Sequence, residues 1–168
     1  MTKPARDLAD TIELHLQYLD RYRDIIESKL AGLSDDDLRS SQLPSGWTPL
    51  ELLKHLVFVE RRWLRWGFAA EQVDHPWGDS GDDPNGRWEI GADDTLQGLL
   101  ARLHEGGERT RQLATGVDPA TLGAAGGRFT EDDRPTLNWI LFHVLQEYAR
   151  HAGHLDVVRE LTDGATGE

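Results

Sequence analysis

The stretch "HVLQEYARHAGHLD", residues 143–156, sets three histidines and a glutamate among apolar residues. On an α-helix each residue turns by about 100° and rises by about 1.5 Å. With Glu147 at zero, His143 falls at about −40°, His151 at about +40° and His154 at about −20°, a stripe roughly 80° wide. Such a stripe on an amphipathic helix faces the core, where unpaired ionisable groups are costly. Something must compensate them. Helical bundles do so by projecting carboxylates and imidazoles from facing helices onto a metal.

Three further helical segments lie upstream. The first, about 5–31, spaces Leu8, Ile12, Leu16, Leu19, Ile26 and Leu30 by three or four and stops at Gly32. "LSDDDL", 33–38, opens with a capping serine and predicts one short turn before "PSG" breaks the chain. The second helix starts in "GWTPLELLKH", where Thr48 can cap, Pro49 suits the first turn and Glu51 completes a capping box. Its apolar run reaches about Phe68, with His55 inside it beside Leu52 and Val59. The third, about 94–115, is carried by Leu96, Leu99, Leu100, Leu103 and Leu113 and weakened by "EGGE" at 105–108. The helix of the opening stretch spans about 136–161.

Residues 71–94, rich in Gly, Pro, Asp and Asn, read as a loop. It is too long for a mere connector, and its Trp77 and Trp88 need burial. It predicts either a lid or substrate wall, or a crossover packed over one end of the bundle. A Gly-rich stretch, 116–135, joins the last two helices, and no strand pattern stands out. The expected fold is all-α, a four-helix bundle with long connections, in one domain over 1–168.

Thirty acidic against eighteen basic side chains give a formal charge of −12. That excludes nucleic acid and anionic membranes as expected partners, since both need a basic footprint. There is no cysteine, hence no disulfide, no thiolate ligand and no cysteine nucleophile. Any thiol chemistry needs a thiol from outside. "MTKPARDLADTIEL" is too charged for a signal peptide, and no run approaches the ~18 apolar residues of a membrane span. The expected location is the cytoplasm. "GAAGG", 123–127, lacks the context and lysine of a phosphate loop, and no GxSxG occurs. Trp63, Trp66 and Phe68 at a helix end read as packing.

Glu147 with His151, His143 with Glu147, and His151 with His154 are each about one turn apart, so spacing leaves three pairs open as metal ligands. A third ligand has to come from another helix. His55 is the histidine in the apolar stripe of helix two, and His15 on helix one is the weaker candidate. His75 and His104, in a loop and on a polar helix stretch, are set aside.

Two stretches carry a resemblance. "PSGWTPLELLKHLVFVERRWLRWGF", 44–68, resembles the second helix of the DinB-like (DinB/YfiT-like) metal-binding bundles. "LNWILFHVLQEYARHAGHLDVVRE", 137–160, is similar to their last helix, above all in the actinobacterial branch of mycothiol-dependent enzymes. The resemblance implies one ligand from helix two and two ligands four residues apart on the last helix: His55, Glu147 and His151. Many members have histidine at the position of Glu147. The mycothiol-dependent maleylpyruvate isomerases are similar in their His/Glu/His set, but have a second domain with no counterpart here. His154 and His143 then flank the ligands, behind them or facing substrate.

Two imidazoles and a carboxylate suit one divalent transition metal, zinc first, with nickel or iron also matching. Three ligands leave a position where an entering thiol would lose its proton. The expected function is transfer of a mycothiol-like low-molecular-weight thiol to an electrophilic small molecule. The alternatives are a hydrolase using metal-activated water and a non-catalytic, metal-stabilised binding or stress protein. The expected partners are the small thiol and its electrophile, and a homodimer is compatible with the reading.

Overall fold

Side-chain caps decide where the helices begin. A computed structural model describes residues 3–166 except 82, 84 and 85. Helix α1 spans Thr11–Leu30, α2 Asp35–Arg39, α3 Pro49–Glu60, α4 Leu96–Ala114 and α5 Leu137–Asp163. Asp10, Ser34, Thr48, Thr95 and Thr136 each accept a backbone N–H of the first turn that follows. The box expected at Thr48 is reciprocal, with Glu51 N–H donating to Thr48 Oγ1 at 3.2 Å and Thr48 N–H to Glu51 Oε2 at 2.7 Å. One expected boundary is corrected. The first helix starts at Thr11 rather than near residue 5, because Asp10 accepts Glu13 N–H at 3.0 Å and ends the extended chain there.

The second helix keeps its path to Phe68 but changes its winding. After Glu60 it widens into a π-helical segment, Arg61–Phe68, closed by Ala69 N–H donating to Leu64 O at 3.0 Å. Two carbonyls at its end are satisfied from the Gly-rich connection, by Arg128 N–H to Trp66 O at 3.1 Å and Ala124 N–H to Phe68 O at 2.8 Å. Residue 127 must be glycine for this approach, since a Cβ there would lie 2.1 Å from Trp66 O.

Four long helical stretches surround the core. α1 packs on α4 and α5, and α3 packs on the same two. Leu19, Ile26, Leu52, Leu53, Leu56, Leu103, Leu141 and Leu155 are buried among them. Within this apolar interior lies a polar knot. Glu60 of α3 accepts from Arg23 of α1, from Thr110 Oγ1 of α4 at 2.5 Å and from Tyr148 Oη of α5 at 2.8 Å. Gly107 of "EGGE" has a place in this knot. α4 runs unbroken, and a Cβ on Gly107 would meet Arg23 Cζ at 2.5 Å, so the missing side chain is what admits the guanidinium.

Among the described residues there is no strand, only isolated bridges between Leu122 and Thr136 and between Ala125 and Phe129. No helix there is long and apolar enough to cross a membrane.

Candidate metal centre

α3 and α5 lie side by side, and α3, started by the capping box at Thr48, carries His55 two turns in. Glu147 and His151, one turn apart on α5, meet it. One donor atom from each of the three lies within 4.8 Å of the others. Glu147 Oε2 is 3.2 Å from His151 Nε2 and 3.7 Å from His55 Nε2.

Both imidazoles are oriented from behind. His55 Nδ1 lies 3.0 Å from Asp79 Oδ2. Asp79 is fully buried and gripped by Arg62, with Nη1 on Oδ1 and Nη2 on Oδ2 at 3.1 Å. An imidazole donating Nδ1–H to a carboxylate presents the lone pair of Nε2, the arrangement that fixes histidine ligands in metal sites. His151 is held similarly, its Nδ1 3.1 Å from Nδ1 of His154. Trp88 covers the pair, stacked on His55 at 3.9 Å between centroids and edge-on to His151 at 5.2 Å.

Electrostatics agree with this geometry. In the metal-free chain the imidazoles of His151 and then His55 beside it hold the Glu147 carboxyl far below the usual carboxylate range, so it is an anion throughout neutral pH. Burial pushes His151 down, which keeps that ring neutral and able to ligate at pH 7. Burial alone would raise Asp79, but hydrogen bonds from His55 and Arg62 outweigh it and keep the group charged.

The three pairs that spacing leaves open are now distinguished. Glu147 and His151 face His55. His143 Nε2 stands 3.9 Å from Glu147 Oε1, its ring 4.3 Å from that of Trp63 and stacked on Trp139 at 5.3 Å. His154 sits behind His151 and tilts against Trp47 at 5.7 Å. His15 is not part of the cluster: its Nδ1 bonds Thr11 O at 2.7 Å and its ring meets Phe142 edge-on. His104 pairs with Glu27 on the surface at 2.9 Å, and His75 turns the loop at φ 46°.

Sequence reasoning missed Asp79 and Arg62, while Trp88 was expected only as part of a lid, a substrate wall or a crossover. The loop read over 71–94 includes 82, 84 and 85, outside the described residues. The rest of it packs over the site, with Asp79 and Trp88 touching His55 and Trp77 lying 4.6 Å from the Arg62 guanidinium carbon.

The donor set fits a divalent transition ion. It offers two nitrogens and one carboxylate oxygen, with both rings preset by outer hydrogen bonds and at least one side left for another ligand. Beside it opens a cavity of about 820 Å³ lined by Trp63, Trp66, Trp77, Trp139 and Arg128 among others. Trp63 and Trp66, expected as packing, are also its walls. A family model described as mycothiol-S-transferase matches residues 14–164. No curated protein matches the chain.

Proposed function

This chain belongs to the mycothiol-S-transferase family, and we propose that it transfers mycothiol, or a related small thiol, to an electrophilic small molecule at a metal centre. The ligands in this reading are His55, Glu147 and His151, in a four-helix bundle of the DinB-like kind. One observation carries it: three donor atoms converge, with both imidazoles held from behind, in a chain that has no thiol of its own.

When bound there, a divalent ion such as zinc supplies the Lewis acidity that lets a thiol lose its proton near neutral pH. The chain's residues do the rest. Asp79 and Arg62 hold His55 in one tautomer, and His154 steadies His151. Glu147 contributes the negative charge that offsets a cation in a partly buried place. His143, kept neutral by burial, stands with Nε2 3.9 Å from the far oxygen of Glu147 and can relay the thiol proton to solvent. The sulfur then forms a C–S bond to the electrophile, whose leaving group departs with the bonding electron pair. Trp88 shields the reacting atoms from water.

Protein purified without a histidine tag should retain close to one divalent ion per chain. Mycothiol should bind the metal-loaded form more tightly than the stripped form, and only the loaded form should release about one proton per site on binding. Calorimetry in two buffers of different ionisation enthalpy reads that number. Monochlorobimane should conjugate faster with thiol plus loaded protein than with thiol alone. A chain that takes up no metal sinks the reading, and ester hydrolysis without any thiol would replace it with metal–water chemistry.

A further inference from the structure

The 820 Å³ cavity is larger than the three ligands need and lies to one side of them. It reaches them through His143, which touches Trp63 and Trp139 on the cavity wall and Glu147 on the other side. Its walls have a definite chemistry. Trp139 has one face stacked on His143, is half exposed, and offers the remainder to the cavity. Trp63 and Trp77 carry the Arg128 guanidinium over their rings at 4.2 and 5.1 Å. Arg128 Nη1 is buried and has no hydrogen-bond partner, a state that calls for an oxygen from elsewhere. The rim adds Asp132, Asp133, Arg134 and Thr136.

Two arginines against two aspartates leave the lining with no net charge. An anionic ligand would meet both acids, and a cation both arginines. A neutral ligand with many hydroxyls meets neither objection, because each hydroxyl donates to a carboxylate and accepts from a guanidinium. The C–H face of a saturated ring lies flat on an aromatic platform such as Trp139. We propose that this cavity binds a neutral polyhydroxylated ring, with Trp139 as platform and Arg128 Nη1 as donor to a ring oxygen or hydroxyl. Resting on the function proposed above, that ring is the polyol portion of the thiol, an acylated glucosamine joined to inositol in mycothiol. The thiol then enters the metal centre past His143 while its polyol stays outside.

The test separates this proposal from the reading beneath it. N-acetylglucosaminyl-inositol, which has no thiol, should quench tryptophan fluorescence of the metal-free chain and lose this effect in Trp139→Ala. With metal bound, mycothiol should bind more tightly than N-acetylcysteine, and Trp139→Ala or Arg128→Met should each cut that preference by about tenfold. Affinity for N-acetylcysteine should not change, and Trp139→Phe should keep most of the preference. If neither thiol binds but the sugar still quenches through Trp139, the cavity assignment stands and the metal–thiol reading falls. If both thiols bind with a ratio insensitive to Trp139 and Arg128, the cavity assignment falls alone. Quenching by benzoate and not by the sugar would also overturn it, in favour of an anionic electrophile.

Discussion

α3 and α5 meet twice over polar atoms, once at Glu60 with Tyr148 and once at His55 with Glu147 and His151. The two places differ in how their groups are used. At the core knot both oxygens of Glu60 accept, from Arg23 and Thr110 on one and from Tyr148 on the other. Opposite charges face each other, and burial drives Tyr148 further towards its neutral, donating form. At the second place a single carboxylate faces two ring nitrogens, while the far nitrogens of those rings are already engaged. The first arrangement closes on itself and ties four helices. The second gathers electron pairs around a point that no protein atom fills in the same way. Burial differs in the same sense, complete at the knot and partial at His55 and Glu147.

The strongest way to break this contrast is to remove a ligand. Glu147→Ala and His151→Ala should each abolish tight metal binding while leaving the helical circular dichroism of the metal-free chain unchanged. Metal content after dialysis decides it, and a variant that still holds a full equivalent would remove that residue from the ligand set.

The opposite pattern is expected at the knot. Glu60→Ala removes the buried partner of the Arg23 guanidinium, leaving it only the half-exposed Asp20, and should cost about 3–5 kcal/mol of stability in urea unfolding. Glu60→Gln, which keeps the shape and one of the two acceptor oxygens, should cost less. A loss below ~1 kcal/mol in Glu60→Ala would mean that the knot does not hold the helices together.

Asp79→Asn sharpens the comparison, because Asp79 touches the proposed ligand set through His55. It should lower metal affinity by roughly 10–100-fold without removing a ligand. Competition with a chromogenic zinc chelator measures it, and unchanged affinity would make the Asp79–His55 bond merely structural. His154→Ala should have the smallest effect, within about tenfold in the same competition. Loss of the metal there, with retention in Glu147→Ala, would shift the ligand pair to His151 and His154.

Much of this was legible in the residues. Thr48, Pro49 and Glu51 mark a helix start that needs no tertiary information, and the stripe from His143 to His154 follows from helix geometry alone. The resemblance then selected Glu147 and His151 from three equivalent pairs. What lay beyond reach depends on chain path. Asp79 stands in "GDSGDD", an acidic run that composition reads as solvated, and nothing local says that it turns inward to meet His55 and Arg62. Glu60 had a faint signal, being in register with Leu53, Val57 and Leu64 on the apolar face. The π-helical winding had none, because a period of 3.6 residues continues to fit Trp63 and Leu64 well enough. The start of α1 was readable and was passed over, since Asp10 three residues before Glu13 is itself a capping pattern.

That winding makes one segment of the chain a matter of length as well as of sequence. Arg61–Phe68 contains more residues than an α-helix would place along the same path. Deleting a single residue there would restore ordinary winding along the same path, redistributing the side chains inside the segment while the chain on either side keeps its direction. His55 lies upstream of the change and would keep its direction, whereas Trp66 and the carbonyls that anchor residues 124 and 128 would not. A one-residue change in length is thus able to rebuild the aromatic cavity while leaving His55, Glu147 and His151 in place, a change of shape that point substitutions on this scaffold do not offer.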